Sequence, residues 1–195
     1  MDARIQQKLT SAQQMLDIAR TGQGDYIAGG ERRISGLYQA VTSARSVTFV
    51  LQTMRNDVEG FDQWYDAIRA ELGADPTCKW FVEVRNRIEK EGSPGQTSSS
   101  VCINHLDTSR LQPPPGAVSM FIGDSLGRSG WVIRLPDGTE QTVYFTLPSH
   151  VVSTHYLIAD APYKRDVGEL LDYYLERLQS VVDRARDFLA DKVWA

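Results

Sequence analysis

The chain has 195 residues, 42% of them hydrophobic and 24% charged, with a formal net charge of −4. That length accommodates one domain with a sizeable core, or one domain with a large insertion. The composition excludes wholesale disorder, and the acidic balance excludes a strongly basic nucleic-acid coat while leaving room for a local basic site.

No run approaches the roughly 20 apolar residues of a membrane span. The opening residues, Met1 to Lys8, are too polar for a signal peptide. No membrane contact is expected, and the expected location is cytoplasmic. The two cysteines, Cys78 and Cys102, lie in different kinds of segment and form no CxxC or metal spacing, which fits reduced thiols.

In chain order, the first predicted element is a helix. Ile5, Leu9, Ala12, Leu16 and Ala19 recur at spacings of three and four, a narrow apolar stripe. Thr21-Gly22-Gln23-Gly24 is expected to stop it, because glycine is costly inside a helix and suits its C-terminal turn. A second helix starts near Gly30-Glu31 with the stripe Ile34, Leu37, Val41, Ala44, Thr48 and Leu51. Tyr38, Val47 and Val50 widen that face and make the helix central. It ends near Asn56-Asp57. A third helical region runs from Phe61 to about Glu91. Phe61, Trp64, Tyr65, Ile68 and Leu72 serve its first half, and Trp80, Phe81, Val84 and Ile88 its second. Gly73-Ala74-Asp75-Pro76 interrupts it, with Asp75 as N-cap and Pro76 in the first turn of the restart.

Residues 93 to 116 contain Ser98-Ser99-Ser100 and Pro113-Pro114-Pro115 and read as a long loop. A β insertion follows. Trp131 to Leu135 alternates, Pro136-Asp137-Gly138 is turn chemistry, and Gln141 to Thr146 is β-prone, which predicts a hairpin. Ala117 to Ile122 and Val151 to Ile158 are weaker strands expected to complete a small antiparallel sheet. A last helix from about Asp166 to Lys192 carries a wide apolar face from Leu170 to Leu189 that must pack on the earlier helices. The fold class is therefore α+β, mainly α. It is a bundle of about four long helices with a small antiparallel β insertion before the last, in a single domain over 1–195. Its parts are a helical part at 1–92, loop and β insertion at 93–165, and the completing helix at 166–195.

Most chemical candidates fail on spacing. Gly123-Asp-Ser-Leu-Gly127 matches neither a P-loop nor a dinucleotide fingerprint and reads as a tight β connection. His105, His150 and His155 are the only histidines. His150 and His155, five apart, face opposite sides of a strand, so no metal site and no cofactor are expected. No nucleophile elbow accompanies them.

The informative segment is Trp80-Phe81-Val82-Glu83-Val84-Arg85-Asn86-Arg87-Ile88-Glu89-Lys90-Glu91-Gly92. Here the sequence resembles the HEPN superfamily, helical-bundle proteins that include many bacterial ribonucleases and toxins. That superfamily carries an Arg-x4-6-His signature, often beginning Arg-Asn. Arg85 and Asn86 match it, and Lys90 stands where His would fall. The wider pattern Phe61-Asp-Gln-Trp64-Tyr65 … Asp75-Pro76 … Trp80-Phe81 … Arg85-Asn86 … Lys90-Glu91-Gly92 is similar to one in uncharacterised bacterial proteins. The resemblance covers the helical part and not the β insertion. It implies cleavage of RNA by its own 2′-hydroxyl, without a metal, in a site shared across a homodimer. Arg85 would then hold the phosphate, Asn86 would orient it, and Lys90 would replace the proton-transferring His. The phosphate-binding set would be Arg85, Arg87 and Lys90.

A lysine holds its proton far more tightly than an imidazolium, so ribonuclease activity is expected to be lost or strongly weakened. Helical geometry agrees, since Arg85 and Lys90 fall about 140° apart on an ideal helix. Arg85 and Glu89, four apart, share a side and suit a surface ion pair. Charge does not favour nucleic acid either. Residues 31 to 92 hold nine basic and ten acidic side chains, and residues 166 to 192 four and seven. Trp131, Tyr144, Phe145 and Tyr156 are able to stack bases, but core packing is the more ordinary use.

The leading expectation is a non-catalytic, HEPN-like association or binding module. It is expected to be homodimeric through the wide apolar faces of its second and last helices, with the β insertion contacting a protein partner or ligand. The alternatives are a HEPN-like endoribonuclease or toxin acting on RNA, as in toxin–antitoxin or phage-defence systems, and a small-molecule pocket between bundle and sheet.

Overall fold

A computed structural model describes residues 3–104, 106–107, 111–125, 127–148 and 151–193. His105 and His150 lie outside the described residues. The fold is α+β and mostly helical. Among the described residues there are five helices: α1 (Ala3–Ala28), α2 (Arg33–Gln52), α3 (Phe61–Ala74), α4 (Pro76–Glu91) and α5 (Val167–Val193). The strands are β1 (Thr97–Ile103), β2 (Ala117–Phe121), β3 (Ser129–Arg134), β4 (Glu140–Phe145) and β5 (Val152–Ile158). The chain forms two compact units, Met1–Gln96 with Ile158–Ala195, and Thr97–Leu157. None of the described helices is long and apolar enough to cross a membrane.

The helical unit holds the core. Leu9, Ala12, Leu16, Ala19 and Tyr26 of α1 are buried, as are Leu37, Ala40, Val41, Ala44, Val47 and Leu51 of α2. Ile34, expected at the head of the α2 stripe, is exposed, and Gly36 takes the buried position. The expected stop at Thr21-Gly22-Gln23-Gly24 does not occur, and α1 continues to Ala28. The reason is tertiary. A Cβ on Gly22 would lie 2.6 Å from the Ala40 amide nitrogen and 2.7 Å from the Gly36 carbonyl oxygen. A Cβ on Gly36 would lie 2.6 Å from the Tyr26 amide nitrogen and 2.7 Å from the Gly22 carbonyl oxygen. The two backbones touch where neither has a side chain, and the close approach outweighs the helix propensity lost at glycine.

The third helical region divides at Asp75, which makes five helices rather than about four. The Asp75 carboxylate accepts hydrogen bonds from the Thr77 and Cys78 amides at 2.8 and 3.0 Å, and Pro76 fills the first helical position. At the far end Gly92 adopts φ 66° and its amide returns to the Ile88 carbonyl. Glycine is the residue that takes this left-handed turn without strain. The apolar face of α5 packs as expected from Leu170 to Leu189. Phe188 stacks on Trp64 at 5.2 Å and meets Phe61 edge-on. The faces of α2 and α5 that suggested a dimer are thus used inside the unit.

The second unit carries two small antiparallel sheets rather than one. In the three-stranded sheet, β3 pairs with β4 in the register Trp131↔Val143 and with β2 through Phe121↔Gly130. The expected hairpin turns at Pro136-Asp137-Gly138, where Asp137 accepts from the Thr139 amide and hydroxyl. Gly130 leaves room for the Phe121 ring, which meets Tyr144 edge-on at 6.1 Å. The glycines from Gly123 to Gly127 form the tight β2–β3 connection. β5 does not extend this sheet. It pairs with β1, a segment read from sequence as loop, and the Asn104 amide bonds the Val151 carbonyl at one end of the ladder. Among the described residues of this unit no hydrophobic side chain is fully buried.

The glycine crossing predicts a contrast within one helix. Gly22→Ala or Gly36→Ala forces backbone apart and is expected to destabilise by about 2 kcal/mol or more. Gly24 faces open space in the same helix, so Gly24→Ala is expected to stabilise by up to ~1 kcal/mol. Urea denaturation of the three variants measures both.

Candidate functional site

The residues singled out by sequence lie on the second half of α4. Arg85 is half-buried and committed to neighbours. Its Nη1 donates to Asn86 Oδ1 at 2.9 Å, and its Nε lies 2.9 Å from Glu89 Oε1. Its guanidinium also sits 5.6 Å from the Phe49 ring of α2. The i,i+4 partner expected from helical geometry is therefore the one observed. Lys90 is exposed and has no ion pair or hydrogen bond among the described residues. The structure brings Arg85 and Asn86 together and leaves Lys90 out.

Arg87 serves a different purpose. It forms a two-point pair with Asp160, at 2.5 and 3.2 Å, and so ties α4 to the segment leading into α5. The hydrogen bond from Arg87 holds the Asp160 carboxyl below its ordinary value, against a smaller opposing effect of burial. Asp75 also lies low. Burial works to raise it, and hydrogen bonds from the Tyr173 hydroxyl of α5 and from the Cys78 and Thr77 amides more than offset that. Glu71 joins the same seam between α3 and α5, held low by Arg184 and Arg177.

Sequence reasoning missed the residues around a cavity of about 310 Å³ in the helical unit. α2, α3, α4 and α5 all contribute to its wall, which includes Arg45, Arg69 and Lys79 and no carboxylate. Arg45 donates to the Thr48 hydroxyl at 2.6 Å and lies over the Phe49 ring at 4.3 Å. Phe49 thus has one guanidinium from the cavity and another from Arg85 beside it. The Tyr65 hydroxyl accepts from Gln52 at 3.0 Å and donates to the Thr48 carbonyl at 3.1 Å. Burial pushes the Cys78 thiol up to about 12, so the wall holds it as a neutral group. The signal that was available in sequence was weak: three cations on three helices, with no spacing that joins them.

A family model described as bacteriophage lambda protein ea47 matches residues 21–126. Protein ea47 of Escherichia phage lambda is 39% identical over 57 residues, which is 29% of this chain. The matched stretch spans 14% of that relative's own length. No solved structure matches. The family match takes in Gly22, Gly36, Arg45, Arg69, Lys79 and Arg85 and ends before Asp160 and Tyr174.

The Arg87–Asp160 pair carries a pH consequence. A carboxyl held below its ordinary value of 3.8 contributes stability that is present above that value and lost as pH falls through the lower folded one. Asp160→Asn is expected to cost up to about 1 kcal/mol at neutral pH, the scale of a partly exposed pair. It is also expected to flatten the acid limb of a stability–pH curve as pH falls below about 4, which denaturation at stepped pH measures.

Proposed function

The chain belongs to the family of bacteriophage lambda protein ea47, and from that premise we propose that it is a non-catalytic, HEPN-like association module. It acts in the cytoplasm and pairs with a second copy of itself. The observation that carries this reading is the state of Arg85. Its guanidinium is spent on Glu89, Asn86 and Phe49, while Lys90 is exposed and has no ion pair or hydrogen bond among the described residues. RNA cleavage needs a proton acceptor and a phosphate-holding cation converging on one phosphodiester. The commitment of Arg85 to its own neighbours supports the reading without catalysis.

The pairing surface is assigned to the second unit. It has no fully buried hydrophobic side chain among its described residues, and Ile103, Val118, Val143 and Tyr144 are exposed. A small sheet unit without an internal core gains stability when a like surface covers it. The apolar faces of α2 and α5 support the module from within.

Two measurements test this. Purified protein incubated with structured and single-stranded RNA is expected to leave both intact. Cleavage that disappears in both Arg85→Ala and Lys90→Ala would establish the nuclease reading instead. Light scattering at micromolar concentration is expected to give twice the chain mass, falling to a monomer in the double variant Val143→Glu, Tyr144→Glu. A monomeric wild type contradicts the association reading.

A further inference from the structure

The cavity in the helical unit supports an inference that does not depend on the association reading. Its wall combines apolar surface with cations. Leu72, Val82 and the ring of Tyr174 contribute the apolar part, and Arg45, Arg69 and Lys79 the charge. No carboxylate lines it. Arg69 has an acidic neighbour, Asp66 at 3.4 Å, but that pair is exposed and weak. Arg45 and Lys79 have no carboxylate partner among the described residues. Positive charge gathered around a partly open, largely apolar space without carboxylates in its wall favours a negatively charged occupant.

A second observation comes from the floor. Tyr174 is 3% exposed. Its ring stacks on Phe81 at 4.7 Å, and it lines the cavity together with Cys78, Arg45 and Tyr65. The hydroxyls of Thr48 and Tyr65 both have protein partners. The Tyr174 hydroxyl has none among the described residues. Its oxygen is not sealed off as a buried polar atom without a partner, so it keeps accessible surface and is able to donate to a molecule in the cavity. Burial raises its pKa, so it stays protonated and acts as a donor.

We propose that this cavity binds a small organic anion, a carboxylate, sulfonate or phosphate ester on an apolar body of aromatic size. Arg45 and Lys79 meet the charge, Tyr174 donates a hydrogen bond to one of its oxygens, and the apolar wall takes the body. A space of about 310 Å³ admits such a molecule and not a nucleic-acid strand. The Phe49 ring, between Arg45 and Arg85, links this site to the cluster that the sequence singled out.

The test uses two probes with the same aromatic framework. 8-Anilinonaphthalene-1-sulfonate carries the anion, and N-phenyl-1-naphthylamine lacks it. The sulfonate probe is expected to bind the whole chain at one saturable site, with affinity falling as salt is raised. Arg45→Gln and Lys79→Gln are each expected to weaken it about fivefold, and the pair more than tenfold. Tyr174→Phe is expected to weaken it while leaving urea stability unchanged, because the lost hydroxyl bonds nothing in the protein. Lys79 is exposed, so its variant folds even if the Arg45 change perturbs α2. Equal affinity for the two probes, or sulfonate binding unchanged in Lys79→Gln and Tyr174→Phe, would overturn the proposal by placing the dye on another apolar surface.

Discussion

The helical unit depends on two glycines facing each other across α1 and α2. Everything that follows in the unit is placed by that contact. Because Gly22 and Gly36 lack side chains, the helices approach until each carbonyl oxygen lies 2.7 Å from where the other's Cβ would be. Ala40 and Ala44 continue the small-residue track along α2. The approach turns the larger side chains of α2 toward a shared core, where Val41, Val47 and Leu51 are buried together with the apolar face of α5. Ridge-into-groove packing of this kind sets helix separation through the smallest residues at the crossing. The same face of α2 presents Arg45 and Thr48 to the cavity.

Polar seams then fix the remaining helices. Asp75 caps α4 with one carboxylate oxygen and accepts from Tyr173 of α5 with the other. Glu71 of α3 takes both Arg177 and Arg184 of α5. Arg87 fastens the entry to α5 through Asp160. Each of these contacts lies at the edge of the core, where a charged pair keeps some solvation and adds orientation more than raw stability. These pairs tie α3 and α4 to α5 and to the segment that leads into it.

Much of this was legible in sequence where a local rule governs the outcome. Asp75-Pro76 and Gly92 bounded α4 because capping and the left-handed turn are decided within a few residues. Pro136-Asp137-Gly138 placed the hairpin for the same reason. The sequence misled where a distant contact reverses a local preference. Gly22 and Gly24 read as a stop, and only the opposing Gly36 shows why the helix continues. β1 was hidden because Ser98, Ser99 and Ser100 show no apolar alternation, and its pairing with β5 rests on backbone hydrogen bonds. On α4 the Arg85–Glu89 pair followed from the i,i+4 spacing. The cavity was not legible, since Arg45, Lys79 and Tyr174 lie on three helices and no periodicity relates them.

The central claim is that residues 21–28 are helical and held by α2, in place of the loop their glycines suggest. Native-state hydrogen exchange of those amides tests it most directly. The account predicts that they are protected in the same cooperative class as the amides of α2 around Gly36 and of α5. Exchange of residues 21–28 at the rate of unstructured chain, with α2 and α5 still protected, would contradict it.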